Sequence, residues 1–202
     1  MTYVPKFDDG LLTKTILLPK EAKDFGTVEQ LIDELQAHIH KWLDVGEEFE
    51  LFSSWYVLLT WVYDRINTVP YLRVIGDTGT GKSRAEDTIG GLCYKRCQVS
   101  GAVTAAPIYR LISQWGGTVI LDEADFAESD EKTEVIKILN CGYEKGRAVI
   151  RCTKNEANKL EYLSTYCPKI IATRYPFDDQ ALESRCITEQ MVQTNRPDIP
   201  FN

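Results

Sequence analysis

Residues 74–84 read VIGDTGTGKSR, so that Gly76 is followed by four residues and then by Gly-Lys-Ser at positions 81–83. This is the spacing of a phosphate-binding loop (Walker A), in which glycines allow turns that direct successive backbone N–H groups at phosphate oxygens. The lysine charge serves the β- and γ-phosphates, and the serine hydroxyl is offered to Mg²⁺. The pattern therefore predicts a site for a nucleoside triphosphate with Mg²⁺. The predicted residues are Gly76, Asp77, Thr78, Gly79, Thr80, Gly81, Lys82, Ser83 and Arg84.

The segments on either side of this loop fit a strand, loop and helix in that order. Residues 71–75 predict a short buried strand, and a helix is expected from Arg84 to about Tyr94. A helix that begins at the loop points the positive end of its dipole toward the phosphates. A glycine-rich turn that matched by chance would lack this order, so the context favours the phosphate loop.

A second motif lies at residues 118–123, where the apolar run TVIL ends in Asp122 and Glu123 (Walker B). Such a strand is buried on both faces of a parallel sheet and delivers its last residues to the edge beside the phosphate loop. Asp122 is predicted to hold Mg²⁺ through its water shell, and Glu123 to act as the general base toward the attacking water. With Lys82 intact as well, a nucleotide-binding scaffold without turnover is disfavoured.

The composition is that of an ordinary soluble globular protein, with 44% hydrophobic and 26% charged residues among 202. No apolar segment reaches membrane-spanning length, which predicts no membrane partner and a cytoplasmic location. The net charge of −7 argues against a surface covered by nucleic acid, but it leaves room for a local basic strip. The six cysteines form no C-x-x-C pair and are expected to be reduced thiols.

The chain is expected to divide into four segments: an N-terminal extension (1–26), a helical pair packed on the core (27–68), an α/β core (69–194) and a loose tail (195–202). Within the extension, residues 13–18 can form a small strand. Thr27 and Gln30 have the spacing of a helix-capping box. The second helix, from about residue 47 to 66, carries aromatic residues on more than one stripe, which predicts that it is largely buried.

The order of the motifs resembles that of AAA+ ATPases over about residues 71–192. Walker A and Walker B are followed by Thr173 at the end of a buried strand and then by Arg185. The resemblance implies ATP as the nucleotide and a three-layer P-loop fold whose central, mostly parallel sheet has five strands. It also implies that Thr173 is sensor 1, which orients the lytic water. Arg185 then corresponds to the finger that reaches a neighbouring subunit's γ-phosphate, and Arg174 is a rival for either role.

More narrowly, the chain resembles the ATPase or helicase domains of phage, plasmid and other mobile-element replication proteins. The matching residues are Pro70-Tyr71-Leu72 and the sequence LNCGY at 139–143. This resemblance implies a DNA helicase or translocase that forms a homo-oligomeric ring or partial ring on nucleic acid. AAA+ modules usually carry a helical lid, for which the 17 residues after Arg185 are too few. Either the chain is a fragment or its N-terminal helices take the role of the lid.

A β-hairpin is predicted where residues 147–151 and 160–163 bracket a polar tip at 153–159. It occupies the place where helicase-type AAA+ modules carry a hairpin before sensor 1 that points into the central channel. Six basic and two acidic side chains lie within residues 147–174. The predicted nucleic-acid contacts are Arg151, Lys154 and Lys159, and a solvated surface loop is the alternative.

Two other functions stay open from the sequence. One is a nucleotide-dependent loader or assembly switch that unwinds nothing. The other is a fragment of a DEAD-box RNA helicase, because residues 122–125 read DEAD. Such helicases place more chain between the two motifs than the 38 residues that separate Ser83 from Asp122 here, so this alternative is the lesser one.

Overall fold

The computed structural model describes residues 15–100, 104–122, 124, 130–152 and 160–200. The described part contains eight strands: β1 (Ile16–Leu17), β2 (Tyr71–Ile75), β3 (Arg96–Ser100), β4 (Val119–Asp122), β5 (Ala148–Cys152), β6 (Leu160–Ser164), β7 (Lys169–Thr173) and β8 (Cys186–Gln190). Six of them form the central sheet in the order β1-β3-β4-β7-β2-β8. β1 pairs with β3 in the antiparallel sense, and the other neighbours are parallel.

The predicted mostly parallel sheet is confirmed, but it has six strands and not five. The additional strand is the short β1 at the edge, where Ile16 pairs with Cys97. Ile16 is buried in the core, and burial of this side chain accounts for the pairing of so short a segment.

The helices in the described residues are α1 (Val28–Trp42), α2 (Glu47–Val62), α3 (Lys82–Gly90), α4 (Ala105–Trp115), α5 (Asp130–Gly142) and α6 (Gln180–Glu183). α1 begins with the predicted capping box, because Thr27 Oγ1 accepts from the N–H of Gln30 and Gln30 Oε1 accepts from the N–H of Thr27. α2 ends at Val62, before the predicted end, and a 3₁₀ turn, Tyr63–Arg65, follows it.

Two hydrophobic clusters cover the two faces of the sheet. Along β4, Ile120 belongs to the cluster that contains residues of α1, α2 and α3. Its neighbours Val119 and Leu121 belong to the other cluster, with residues of α4, α5 and α6. This alternation follows from the two-residue period of a strand. The sheet therefore lies between two helical layers.

α2 is less buried than its sequence predicts. Tyr56 faces the sheet, where its hydroxyl donates to the carbonyl oxygen of Lys169 at 2.8 Å. On the opposite side Phe52, Trp55 and Trp61 are exposed by 41%, 47% and 47%. The helix has one buried stripe, and its remaining aromatic residues lie at the surface.

The predicted hairpin is present as an antiparallel pair, in which Ala148 of β5 lies opposite Ser164 of β6 and Cys152 opposite Leu160. The pair forms a sheet of its own, separate from the central one. The tip at residues 153–159 lies outside the described residues.

The end of the chain differs from the loose tail that the sequence predicts. Ile199 is buried, and Arg196 Nη1 donates to the carbonyl oxygen of Leu43 at 3.1 Å. This segment is therefore held to the protein at Arg196, which contacts the residue after α1, and at the buried Ile199. Within the described part of the chain, no helix is long and apolar enough to cross a bilayer.

Candidate nucleotide-binding site

The phosphate loop joins β2 to α3 and has the backbone that its glycines allow. Gly81 precedes α3 with φ of 92°, a left-handed conformation that a side chain disfavours. A Cβ on Gly76 would lie 2.6 Å from Thr80 Oγ1 and 2.7 Å from the carbonyl oxygen of Met191. Glycine is therefore required at both ends of the loop for different reasons, a turn at one and close packing at the other.

Lys82 crosses this loop with its side chain. Its Nζ donates to the carbonyl oxygens of Gly76 at 2.7 Å and Asp77 at 2.9 Å. The ammonium group is thereby held at the mouth of the loop, where backbone N–H groups of a phosphate loop gather around an anion.

Neighbouring strands fix the start of the loop. The N–H of Gly76 donates to the carbonyl oxygen of Thr173 at 3.1 Å. The N–H of Met191 donates to the carbonyl oxygen of Ile75 at 2.6 Å. β7 lies between β2 and β4, so one strand separates the loop from Asp122. Because the three strands are parallel, their carboxyl ends lie together along one edge of the sheet.

A cleft of about 300 Å³ lies at this edge. Its lining residues come from the loop, from the end of β4 and from the residue after β7: Thr78, Gly79, Gly81, Lys82, Ser83, Arg84, Asp122 and Arg174. The structure thus brings Lys82, Ser83 and Asp122 of the predicted site together. Glu123 lies outside the described residues.

The two sensor candidates at the end of β7 occupy different environments. Thr173 is buried, at 1% exposure, and its hydroxyl oxygen has no hydrogen-bond partner among the described residues. Its neighbour Arg174 is exposed and lines the phosphate cleft. The resemblance implied Thr173 as sensor 1, with Arg174 as a rival for that role, and the structure places Arg174 in the lining of the cleft.

Arg185 lies at the opposite end of the parallel strands, beside the first residue of β2. The N–H of Tyr71, the first residue of β2, donates to its carbonyl oxygen at 2.9 Å. The loop begins five residues later, roughly 16 Å along an extended strand. Within one chain, therefore, Arg185 and Lys82 are not brought together.

A polar cluster holds the Arg185 side chain. Its guanidinium donates to Asn140 Oδ1 and lies over the Tyr143 ring, 5.3 Å from the ring centroid. Asn140 Nδ2 in turn donates to Asp179 Oδ2 at 2.9 Å. Two residues of the LNCGY sequence therefore position this arginine, a contact that sequence similarity did not indicate.

The sequence analysis missed Glu86, one helical turn after Ser83. Its side chain is completely buried, and its carboxyl group lies within hydrogen-bonding reach of the Asp122 carboxylate. Burial, together with the nearby charge of Asp122, raises its pKa to about 9. The sequence feature that could have revealed this residue is a glutamate on the buried face of the helix that follows the phosphate loop.

The predicted basic strip is only partly described. Lys154 and Lys159 lie outside the described residues, as does the side chain of Arg151. Lys169, another of the six basic residues counted there, is fully buried, and its Nζ donates to the carbonyl oxygens of Thr165 and Cys167 at 2.9 and 3.0 Å. Lys169 therefore belongs to the core and has no surface with which to contact nucleic acid.

Comparison with known proteins finds likeness at the level of structure. No family model and no curated protein matches this chain. Among solved structures it is similar to the JCV helicase crystallised with a thiazolopyridine acetamide, at 14% sequence identity and a TM-score of 0.49. The match covers 82% of this chain and 45% of the helicase chain, so this chain spans less than half of that protein.

Proposed function

We propose that this chain is an ATP-binding and ATP-hydrolysing motor domain of the AAA+ type, which works as an oligomer on nucleic acid, with DNA as the expected partner. One observation carries the proposal. Lys82, Ser83 and Asp122 line a single cleft at the edge where β2, β7 and β4 end. A cation, a hydroxyl and a carboxylate beside a glycine-rich loop are the groups that phosphoryl transfer requires.

The donor set in the cleft fits Mg²⁺. The Ser83 hydroxyl and the Asp122 carboxylate offer oxygen atoms, which this hard cation prefers, and the rest of its coordination is commonly water and phosphate. When bound, Mg²⁺ neutralises charge on the β- and γ-phosphate oxygens. Lys82 adds a second positive charge on the loop side of the same phosphates.

The remaining roles in hydrolysis follow from chain position. Glu123, directly after Asp122, is proposed to accept a proton from the attacking water. Thr173 and Arg174 end the strand between the loop and Asp122, and they are proposed to orient the water and stabilise the γ-phosphate. Arg185, at the far edge of the sheet, is proposed to serve the site of a neighbouring copy, because it cannot reach its own loop.

ATP binding and turnover by two variants test this proposal. Lys82→Ala is expected to abolish measurable binding, because the N–H groups of the loop alone compensate the phosphate charge poorly. Glu123→Gln is expected to bind ATP and lose hydrolysis, since Asp122 remains while the base is gone. The matched control is Lys137→Ala, which removes an exposed lysine on α5. Wild-type binding in Lys82→Ala or normal turnover in Glu123→Gln would refute the assignment.

A strand-displacement assay then separates the motor from the loader. ATP-dependent displacement by wild type, absent in Glu123→Gln, supports a helicase. Nucleotide-dependent assembly without displacement would instead indicate a loader or switch.

A further inference from the structure

The outer face of α2 carries a seam of apolar side chains that the rest of the described chain leaves exposed to solvent. Phe52, Trp55 and Val62 are exposed by 41%, 47% and 51%, and Leu59 between them is half-buried. The rings of Phe52 and Trp55 meet edge to face, with 5.7 Å between their centroids. The four residues follow one another at alternating steps of three and four, which is the spacing of a coiled-coil seam. A second helix can therefore pack along this face.

The third exposed aromatic residue of α2, Trp61, differs from this seam because it contacts the core. Its indole N–H donates to the carbonyl oxygen of Leu92 at 3.1 Å, and its ring centroid lies 5.2 Å from that of Tyr94. Trp61 thus helps to hold α2 on the protein. Phe52 and Trp55 instead contact each other and present apolar surface to water. Contiguous apolar surface of this kind is typical of a site for another molecule, since its burial is favourable.

The helical pair that carries the seam is strongly acidic. Residues 27–62 contain seven acidic residues and one lysine, so this pair holds six of the chain's seven net negative charges. Glu47 and Glu48 are exposed in the first turn of α2, and Glu48 lies one turn before Phe52 in line with the seam. The surface therefore combines an apolar stripe with a concentration of negative charge.

This charge decides between the possible occupants of the seam. Nucleic acid and anionic lipid would bring phosphates toward the carboxylates and are repelled by them. A second copy of the chain would bring another helical pair of the same net charge, and like charges opposed across an interface cost affinity. A helix with apolar residues at the same spacing, and with lysines or arginines beside them, satisfies both the apolar stripe and the charge.

We propose that the outer face of α2 is the docking site for a basic amphipathic helix of a partner protein. The apolar residues of that helix pack on Phe52 and Trp55, and its basic residues pair with Glu47 and Glu48. The seam from Glu48 to Val62 is about 21 Å long, so the partner helix needs roughly four turns. None of these residues lines the phosphate cleft, so the inference does not depend on ATP hydrolysis.

Calorimetric titration with three synthetic peptides of about 18 residues tests the proposal. The first has leucine at the seam positions and lysine elsewhere, the second has glutamate in place of the lysines, and the third scrambles the first so that no apolar face forms. The wild-type chain is expected to bind only the first. Phe52→Ala combined with Trp55→Ala should weaken this binding roughly 30-fold or more, the loss typical of an interface hot spot. The matched control is Tyr162→Ala, which removes an exposed aromatic ring on β6 and should leave the binding unchanged.

Glu47→Lys combined with Glu48→Lys provides a second measurement that leaves the apolar seam intact. It should weaken binding of the lysine peptide and make the remaining affinity less dependent on salt. The proposal is overturned if the wild-type chain binds the glutamate or scrambled peptide as well as the lysine peptide, if neither double variant weakens binding, or if no peptide binds. Sedimentation velocity tests the second copy as occupant. Wild-type oligomers that Phe52→Ala with Trp55→Ala converts to monomers would assign the face to contact between copies and would also overturn the proposal.

Discussion

The backbone N–H of Gly76 donates a hydrogen bond of 3.1 Å to the carbonyl oxygen of Thr173. This bond joins the first residue of the phosphate loop to the last residue of β7, the strand between the loop and Asp122. Arg174, the next residue, lines the same cleft as Lys82 and Asp122. A displacement of β7 would therefore move this arginine relative to Lys82 and Asp122.

Arg174→Ala is expected to lower kcat by roughly 10²–10³-fold, the loss typical of one donor aimed at developing charge. Binding of ATP should change less, because Lys82 and the loop remain. Arg174→Lys should restore only part of the rate, since an ammonium lacks the planar fork of a guanidinium. The control is Arg65→Ala, which removes an exposed arginine after α2. Steady-state ATPase kinetics give the result, and a wild-type kcat in Arg174→Ala would remove this residue from the mechanism.

Arg185→Ala tests action between subunits. The wild-type specific ATPase activity should rise with protein concentration, because an arginine supplied in trans is worth about 10³–10⁵ in rate. Arg185→Ala should bind ATP normally and lose this rise. Asn140→Ala should partly reduce the rise in activity with concentration. The Arg185 guanidinium would still contact the Tyr143 ring but would lose its hydrogen-bond acceptor on Asn140. Full activity of Arg185→Ala at high concentration would exclude the finger role.

Glu86→Gln is expected to remove a pH dependence of stability. The pKa of this carboxyl rises from 4.5 to about 9 on folding, so between these values the folded state binds a proton that the unfolded state has released. Stability from this group is therefore complete below pH 4.5 and is lost as the pH rises toward 9, by at most about 1.4 kcal/mol per pH unit. Urea unfolding without nucleotide or Mg²⁺ at several pH values checks this. Parallel curves for wild type and Glu86→Gln would contradict the expectation.

The hairpin is tested by Lys154→Ala combined with Lys159→Ala. If each lysine neutralises one backbone phosphate, binding of single-stranded nucleic acid should weaken equally for all sequences. The slope of log affinity against log salt should flatten by roughly 0.7 per lost contact, and ATP affinity should stay the same. Lys20→Ala with Lys137→Ala removes the same charge from exposed positions elsewhere and serves as the control. An unaltered slope of log affinity against log salt in the hairpin variant would indicate that the hairpin is an ordinary surface loop.

Several elements could be predicted from local sequence alone. β2 has the predicted bounds, and β7 ends at Thr173 as expected, because a buried strand is specified by the apolar pattern of its own residues. The predicted strand ending at Asp122 is likewise present as β4. The exposure of Trp55 and the burial of Ile199 could not be predicted in this way, because each depends on which distant surface lies opposite the side chain.

The sequence by itself determined the glycine-rich loop between a strand and a helix, and the strand that ends in Asp122, since these follow from residue types at short, fixed spacings. Only the tertiary structure decided that Arg174 enters the phosphate cleft, that Glu86 is buried beside Asp122, and that Arg185 lies at the opposite edge. These placements depend on strand order and on contacts between segments far apart in the chain, which no local pattern encodes.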